Sequence, residues 1–138
     1  MTFEVIDRLN DDQIEDLYRL YQAEWWSKER KKADIERMLK HSDLIVAFCD
    51  PNSKRLLAFS RILTDYVYRA TIFDVIVGAS YRGNGLGRIL IDIIANHPKL
   101  KSVEGLYLYC LPEMIPFYKK WGFTDDVGNR CLMKKIHL

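Results

Sequence analysis

The segment ATIFDVIVGASYRGNGLGRIL, Ala70 to Leu90, limits the fold more than any other part of the chain. An apolar run of strand character leads into a turn in which Gly83, Gly85 and Gly87 lie between Arg82 and Arg88. A helix face follows at once: Leu86, Ile89, Leu90, Ile93, Ile94 and His97 fall on one side before Pro98 stops it. Strand, glycine turn and helix in direct succession require a sheet with a helix packed back onto it. The first N–H groups of that helix have no internal partner, and the macrodipole adds roughly +0.5 charge there. Such a corner holds anions, and glycine lets the backbone approach a bulky diphosphate.

The remaining segments fit around this unit. TFEVI reads as a short strand, and NDDQIEDLYRLYQAEWW as a helix capped by Asn10 or Asp11, with Ile14, Leu17, Tyr18, Tyr21 and Trp25 at helical spacing. On that spacing Trp25 continues the apolar stripe and Trp26 is the freer tryptophan. A second, more basic helix carries Ile35, Met38 and Leu39 and ends near His41. DLIVAFCD and RLLAFSRILTD flank the turn PNSK as a hairpin, and YVYR links it to ATIFDVIV. GLYLYCL reads as a strand, PEMIPFYKKWGF as a short helix stopped at Gly122, and RCLMKKI as a closing strand. The order β-α-α-β-β-β-α-β-α-β predicts one α/β domain over 1–138, with a mixed, mostly antiparallel central sheet and helices on both faces.

Composition removes several classes of function. The net charge of +2 is too small to argue for nucleic acid, and the basic runs KERKK and KK read as solvated faces. The apolar runs are only of strand length, which argues against a membrane span, and the acidic start MTFEVIDRLNDD does not read as a leader. Cys49, Cys110 and Cys131 are odd in number and widely spaced, as are His41, His97 and His137, so neither a disulfide framework nor a metal site is expected. Reduced thiols point to the cytoplasm.

Among glycine loops, a Walker A loop needs Lys-Ser/Thr after its last glycine, and here Arg88 and Ile89 follow Gly87. The dinucleotide fingerprint needs G-x-G-x-x-G early in a βαβ unit. Arg82-Gly83-Asn84-Gly85-Leu86-Gly87 instead resembles the R/Q-x-x-G-x-G/A signature with which the GNAT superfamily of N-acetyltransferases holds the pyrophosphate of acetyl-coenzyme A. FYKKWGF, Phe117 to Phe123, resembles the second motif of that family, a tyrosine on a short helix before Gly-Phe. The two motifs stand in the right order, and the likeness is good from Ala70 to Phe123.

The resemblance implies a fold, a co-substrate and a set of roles. Acetyl-coenzyme A would lie with its diphosphate on Arg82, Gly83, Asn84, Gly85, Leu86, Gly87 and Arg88, and its pantetheine arm along the main chain of Val75, Ile76 and Val77, as an added strand. A strand N–H, that of Ile76, would stabilise the oxyanion. Tyr118 would be the general acid that protonates the leaving thiolate, although it also fits an apolar stripe with Met114, Phe117 and Trp121. Asp74 is the candidate base. Strand alternation sets it on the face of Ile72 and Ile76, and the competing role is a salt bridge to Arg61 or Arg69. Where many family members carry an asparagine that touches the cofactor, this chain has Pro112, which has no N–H. Cys110 reads as a buried strand thiol.

By the same resemblance, the first two helices and the TDYVYR loop border the acceptor. Trp26, Tyr66 and Tyr68 would form an aromatic wall and Asp65 would pair with an ammonium group. ATIFDVIV with its glycine turn is also similar to plant and cyanobacterial arylalkylamine (serotonin-type) N-acetyltransferases. The reading is acetyl transfer to a small primary amine by direct attack in a ternary complex. A non-catalytic acyl-coenzyme A sensor and a protein lysine or N-terminal acetyltransferase stay open as alternatives. Symmetric homodimers are common in the superfamily.

Overall fold

The computed structural model describes residues 1–137; Leu138, the last residue of the expected domain, lies outside them. A five-stranded sheet runs in the order β1-β2-β3-β4-β5, formed by β1 (Glu4–Ile6), β2 (Leu44–Cys49), β3 (Leu56–Thr64), β4 (Arg69–Val77) and β5 (Gly105–Leu108). The first four strands pair antiparallel and β4 pairs with β5 in parallel. This is the expected mixed sheet.

The helices are α1 (Asp11–Gln22), α2 (Lys32–Lys40), α3 (Leu86–Ala95) and α4 (Ile115–Lys119). Two cores result, one on each face of the sheet. Leu86, Leu90, Ile91 and Ile94 of α3 pack with Tyr118 of α4 against Val46, Phe48 and Ile72. On the other face, Leu17 and Tyr21 of α1 and Ile35 of α2 cover Ala47, Phe59 and Ile76. Each fully buried aliphatic side chain contributes roughly 1.5–3 kcal/mol.

Local chemistry sets the element ends. The side chain of Asn10 accepts from the Gln13 N–H at 2.8 Å and the Gln13 side chain accepts from the Asn10 N–H at 3.0 Å, a reciprocal cap on α1. The β2–β3 turn is held by Asp50, whose Oδ1 accepts from the N–H groups of Asn52 and Ser53 at 2.8 Å each. Pro116 sits in the first turn of α4, where its missing N–H has no consequence.

Two expectations fail. Helix α1 stops at Gln22 and does not reach Trp26, because the Ser27 hydroxyl donates to the Tyr21 carbonyl at 2.8 Å and the chain turns irregularly from there. Helical spacing therefore does not apply to the tryptophans: Trp25 is 71% exposed, and Trp26 makes the edge contact with Tyr21. The closing strand RCLMKKI does not form. Its apolar residues are contiguous rather than alternating, and Leu132, Met133 and Ile136 are exposed beside no partner strand.

Candidate active site

β4 and β5 pair only from Arg69–Gly105 to Ile72–Leu108. From Phe73 onward the β5-facing edge of β4 is open, and the two strands part around Phe73 and Tyr109, whose ring centroids are 6.1 Å apart. The part of β4 beyond the separation is Val75, Ile76 and Val77.

A bulge lies at the same place. Arg61 pairs with Phe73 but Phe59 pairs with Ile76, so β4 carries one extra residue, and Asp74 takes φ +57°. The insertion changes which side chains share a face. Ala70 and Ile72 belong to the α3 core and Val75 and Val77 pack there too, whereas Ile76 belongs to the α1–α2 core. Asp74 faces α1 and the α1–α2 segment through its bonds to Tyr21 and Arg30, not the side of Ile72 that simple alternation gives.

Backbone direction follows from the pairing. The Gly78 N–H donates to the Leu57 carbonyl at 2.9 Å, so the polar groups of Ile76, two residues back and paired with Phe59, also turn toward β3. Those of Val77 and Val75 turn to the open edge; the Val77 carbonyl accepts from Arg82 Nε at 3.1 Å there. The expected oxyanion donor is therefore displaced. The N–H of Ile76 is engaged within the sheet, and the free N–H groups are those of Val75 and Val77.

The glycine turn follows a short 3-10 turn at Ala79–Tyr81. Gly83 (φ +85°) and Gly85 (φ +75°) adopt left-handed conformations that other residues resist. Gly85 caps α3 without any side-chain bond, and the Asn84 side chain donates to the Tyr81 carbonyl at 3.0 Å. Among the described residues, no hydrogen bond is donated by the backbone N–H of residues 82 to 88. The turn, Val77 and Phe117 of α4 enclose a hollow of about 340 Å³, which brings the two sequence motifs together. A Cβ on Gly87 would meet only Val77 Cγ2, at 3.9 Å, so the protein itself does not require glycine there. These features fit a diphosphate. Arg82 also reaches across the molecule, with Nη2 2.7 Å from Glu24 Oε1 in the α1–α2 segment.

The ring of Tyr118 is buried between Phe117 and Phe123. Its hydroxyl has no protein partner among the described residues, yet it is not a sealed polar atom. It lines a groove of about 780 Å³ with Leu108, Cys110, Ile115 and Trp121. Burial, and secondarily the Cys110 thiol, push the phenol above its ordinary range, so it is protonated at neutral pH. Cys110 is exposed, not buried as its strand position suggested, because β5 ends at Leu108. Pro112 is exposed at the start of a 3-10 turn before α4.

Asp74 is at the centre of a dense cluster. Its Oδ2 accepts from Arg30 Nη1 at 2.8 Å, Arg61 Nε at 2.8 Å and the Tyr21 hydroxyl at 2.9 Å. Burial alone raises the carboxyl pKa, but the hydrogen bonds from Arg30 and Arg61 outweigh it and hold the group ionised below its ordinary value. Burial and the adjacent carboxylate push Tyr21 far up, so this phenol stays protonated.

The expected acceptor residues do not converge. Trp26 contacts Tyr21 and Arg30, whereas Tyr66 and Tyr68 lie in the β3–β4 loop beside the start of β4, and no aromatic contact among the described residues joins the two groups. Asp65 organises its own loop: Oδ1 accepts from the N–H groups of Val67, Tyr68 and Arg69 at 2.9, 2.7 and 3.1 Å, which lower its pKa. Sequence reasoning named Arg61 as a partner of Asp74 but missed Arg30, hidden in a basic run, and Tyr21, read only as part of an apolar stripe.

Comparison with known proteins agrees with this geometry. Residues 11–123 match the model of the Acetyltransferase (GNAT) family, and the chain belongs to that family. It is 36% identical over 119 residues to an uncharacterized N-acetyltransferase ycf52-like protein of Prochlorococcus marinus, covering 84% of this chain and 66% of the relative. It is 32% identical over 99 residues to serotonin N-acetyltransferase 2, chloroplastic, of rice (Oryza sativa subsp. japonica), covering 70% of this chain and 50% of that protein. The chain thus spans about half to two thirds of the length of these curated relatives. A crystal structure of a protein belonging to the GNAT family from Xanthomonas campestris pv. campestris superimposes with a TM-score of 0.80 at 26% identity, covering 97% of this chain and 94% of the other. Among the described residues, no helix is long and apolar enough to cross a membrane, and no cluster of His, Cys, Asp or Glu could hold a metal ion.

Proposed function

We propose that the protein transfers acetyl from acetyl-coenzyme A to the primary amine of a small molecule. The observation that carries this is the glycine turn: a row of backbone N–H groups without internal partners, at a helix N-terminus, facing a hollow shared with α4. The diphosphate binds there with Arg82 and Arg88 alongside. The arm adds to the open edge of β4, where the polar groups of Val75 and Val77 are free to pair with its amides.

In a ternary complex, the ammonium first gives one proton to water, the freed amine nitrogen forms a bond to the acetyl carbon, the carbon–sulfur bond breaks, and the nitrogen loses its second proton to water. Tyr118 gives its proton to the departing sulfur and regains one from solvent through the groove. Asp74, ionised but already accepting three hydrogen bonds on one oxygen, holds the bulge in place, and the ammonium proton leaves to water. The name of the rice relative supports an aromatic amine as acceptor, and the half-exposed Trp26 ring is consistent with it. Reduced thiols fit the cytoplasm, while that relative's name places it in a chloroplast. Pro112 favours the non-catalytic reading, and the unbonded Tyr118 hydroxyl favours turnover.

The test is direct. Acetyl-coenzyme A should raise the Tm, and amines should release free thiol from it in the presence of the protein. No Tm shift at millimolar acetyl-coenzyme A would remove the cofactor assignment, and a shift without thiol release from any amine would leave only the binding module.

A further inference from the structure

The corner around Asp74 holds more positive charge than it neutralises. Two guanidinium groups, Arg30 and Arg61, converge on one carboxylate. Arg30 gives Asp74 one N–H from each terminal nitrogen, at 2.8 and 3.4 Å, and Arg61 gives only its Nε–H. Of the five N–H donors that each guanidinium carries, Arg61 commits only one among the described residues, and Arg30, which also points Nη1 at Met38 Sδ at 3.9 Å, keeps two uncommitted. The arginine side chains are 32% and 14% exposed, so they lie in a recess rather than on an open surface. Among the described residues no buried side-chain nitrogen is wholly without a partner, so the three that make no hydrogen bond, Arg61 Nη1 and Nη2 and Arg30 Nε, reach accessible space. Planar guanidinium forks of this kind match carboxylate and phosphate.

The groups that would attract a simple ammonium ion are already in use. Glu24 is bound to Arg82, Asp65 to its own loop, and Asp74 to the two arginines. The aromatic faces are taken as well: the Arg30 guanidinium carbon lies 4.6 Å from the Tyr21 ring centroid and 5.5 Å from that of Trp26, and Arg61 lies 4.9 Å from Phe73. A second cation entering here meets like charge.

We propose that the acceptor carries an anionic group, carboxylate or phosphate, besides its amine, and that Arg30 and Arg61 bind that group beside Asp74. This rests on the acetyl-transfer reading and narrows its substrate class. An aromatic acceptor then takes the form of an aromatic amino acid rather than the corresponding arylalkylamine. Asp74 fixes the two arginines, and the bulge places all three one residue before the edge that holds the thioester arm. Amines that carry a second positive charge are the poorest acceptors.

Matched amines that differ only in the anion test this: phenylethylamine against phenylalanine, tyramine against tyrosine, and ethanolamine against phosphoethanolamine. The first two pairs read carboxylate and the third phosphate. In one of the two classes the anionic member should have a kcat/KM about 10- to 100-fold higher, the range expected of a charge-assisted hydrogen bond. Arg30→Gln should bring that ratio toward one. Wild-type turnover with no preference, or with preference for the neutral member, overturns the anion site but leaves acetyl transfer standing. Failure of every amine together with no Tm shift from acetyl-coenzyme A overturns the acetyl-transfer reading instead. Binding of the N-acetylated products to the protein saturated with coenzyme A gives the same contrast without turnover. Tighter binding of the anionic products supports the site, and equal or absent binding overturns it.

Discussion

The glycine turn and the Asp74 corner lie at opposite ends of the same stretch of β4, and they are built in opposite ways. Among the described residues the backbone amides around the turn donate to nothing, while at Asp74 one carboxylate oxygen accepts from three side chains on three different segments. The turn is kept open for a ligand and is stabilised by little besides the helix behind it. The corner is closed by its own charges and ties α1, the α1–α2 segment and β3 to β4. Substitutions in the turn should therefore alter cofactor binding with little change in folding, and loss of the Asp74 carboxylate should alter folding with little change in cofactor binding.

Tyr118→Phe touches neither region and should give the largest effect. Thiol release should fall roughly 10²- to 10⁴-fold, the usual contribution of a placed general acid, with the Kd for acetyl-coenzyme A nearly unchanged. Wild-type rates in the alkaline range would show no such acid if Tyr118→Phe were equally fast. Asp74→Ala leaves two half-buried arginines without their anion and should lower stability by about 3–5 kcal/mol, seen as a large fall in Tm. If that variant melts like wild type, the corner is not the brace described here.

Asp74→Asn gives a finer reading. A carboxyl held below its unfolded pKa of about 3.9 contributes stability that is fully present above that pH and is lost as pH falls through the lower folded value. The wild-type Tm should decline below about pH 4 more steeply than that of Asp74→Asn, and parallel curves would contradict the assignment. Glu24→Gln removes the half-buried partner of the exposed Arg82 and should tighten acetyl-coenzyme A binding only a few-fold, with a steeper salt dependence. Gly87→Ala should raise stability by about 0.5–1 kcal/mol, since its Cβ has room, with little change in cofactor binding, because the signature that Arg82 to Gly87 resembles admits alanine there. A large loss of affinity in that variant would show that the diphosphate approaches Gly87 more closely than the signature implies.

The same contrast explains what could be read from the sequence. The turn is local: Arg82 to Arg88, the apolar face of α3 and the tyrosine before Gly122 all sit at short, recognisable spacings, and the order of elements along the chain followed from where the apolar period changed. The corner is made by pairs far apart in the chain, Tyr21 and Arg30 with Asp74, and nothing in the run KERKK marks Arg30 as different from its neighbours. The bulge was equally silent, because the residue with positive φ is an aspartate held there by distant partners and not a glycine. Helix α1 ended early at no Gly or Pro, through a serine hydroxyl five positions past its last residue. The absent closing strand is a failure of a weaker kind, since its apolar residues never alternated.

The extra residue in β4 makes that strand two half-ribbons that are out of phase. Deleting Asp74 would merge them into a single unbroken zigzag in which no other side chain trades sides: the two valines would still meet α3 and the isoleucine α1. Hydropathy along the strand would scarcely change. A one-codon deletion could thus leave both apolar layers and the free rim in place while removing only the carboxylate on which the two arginines converge.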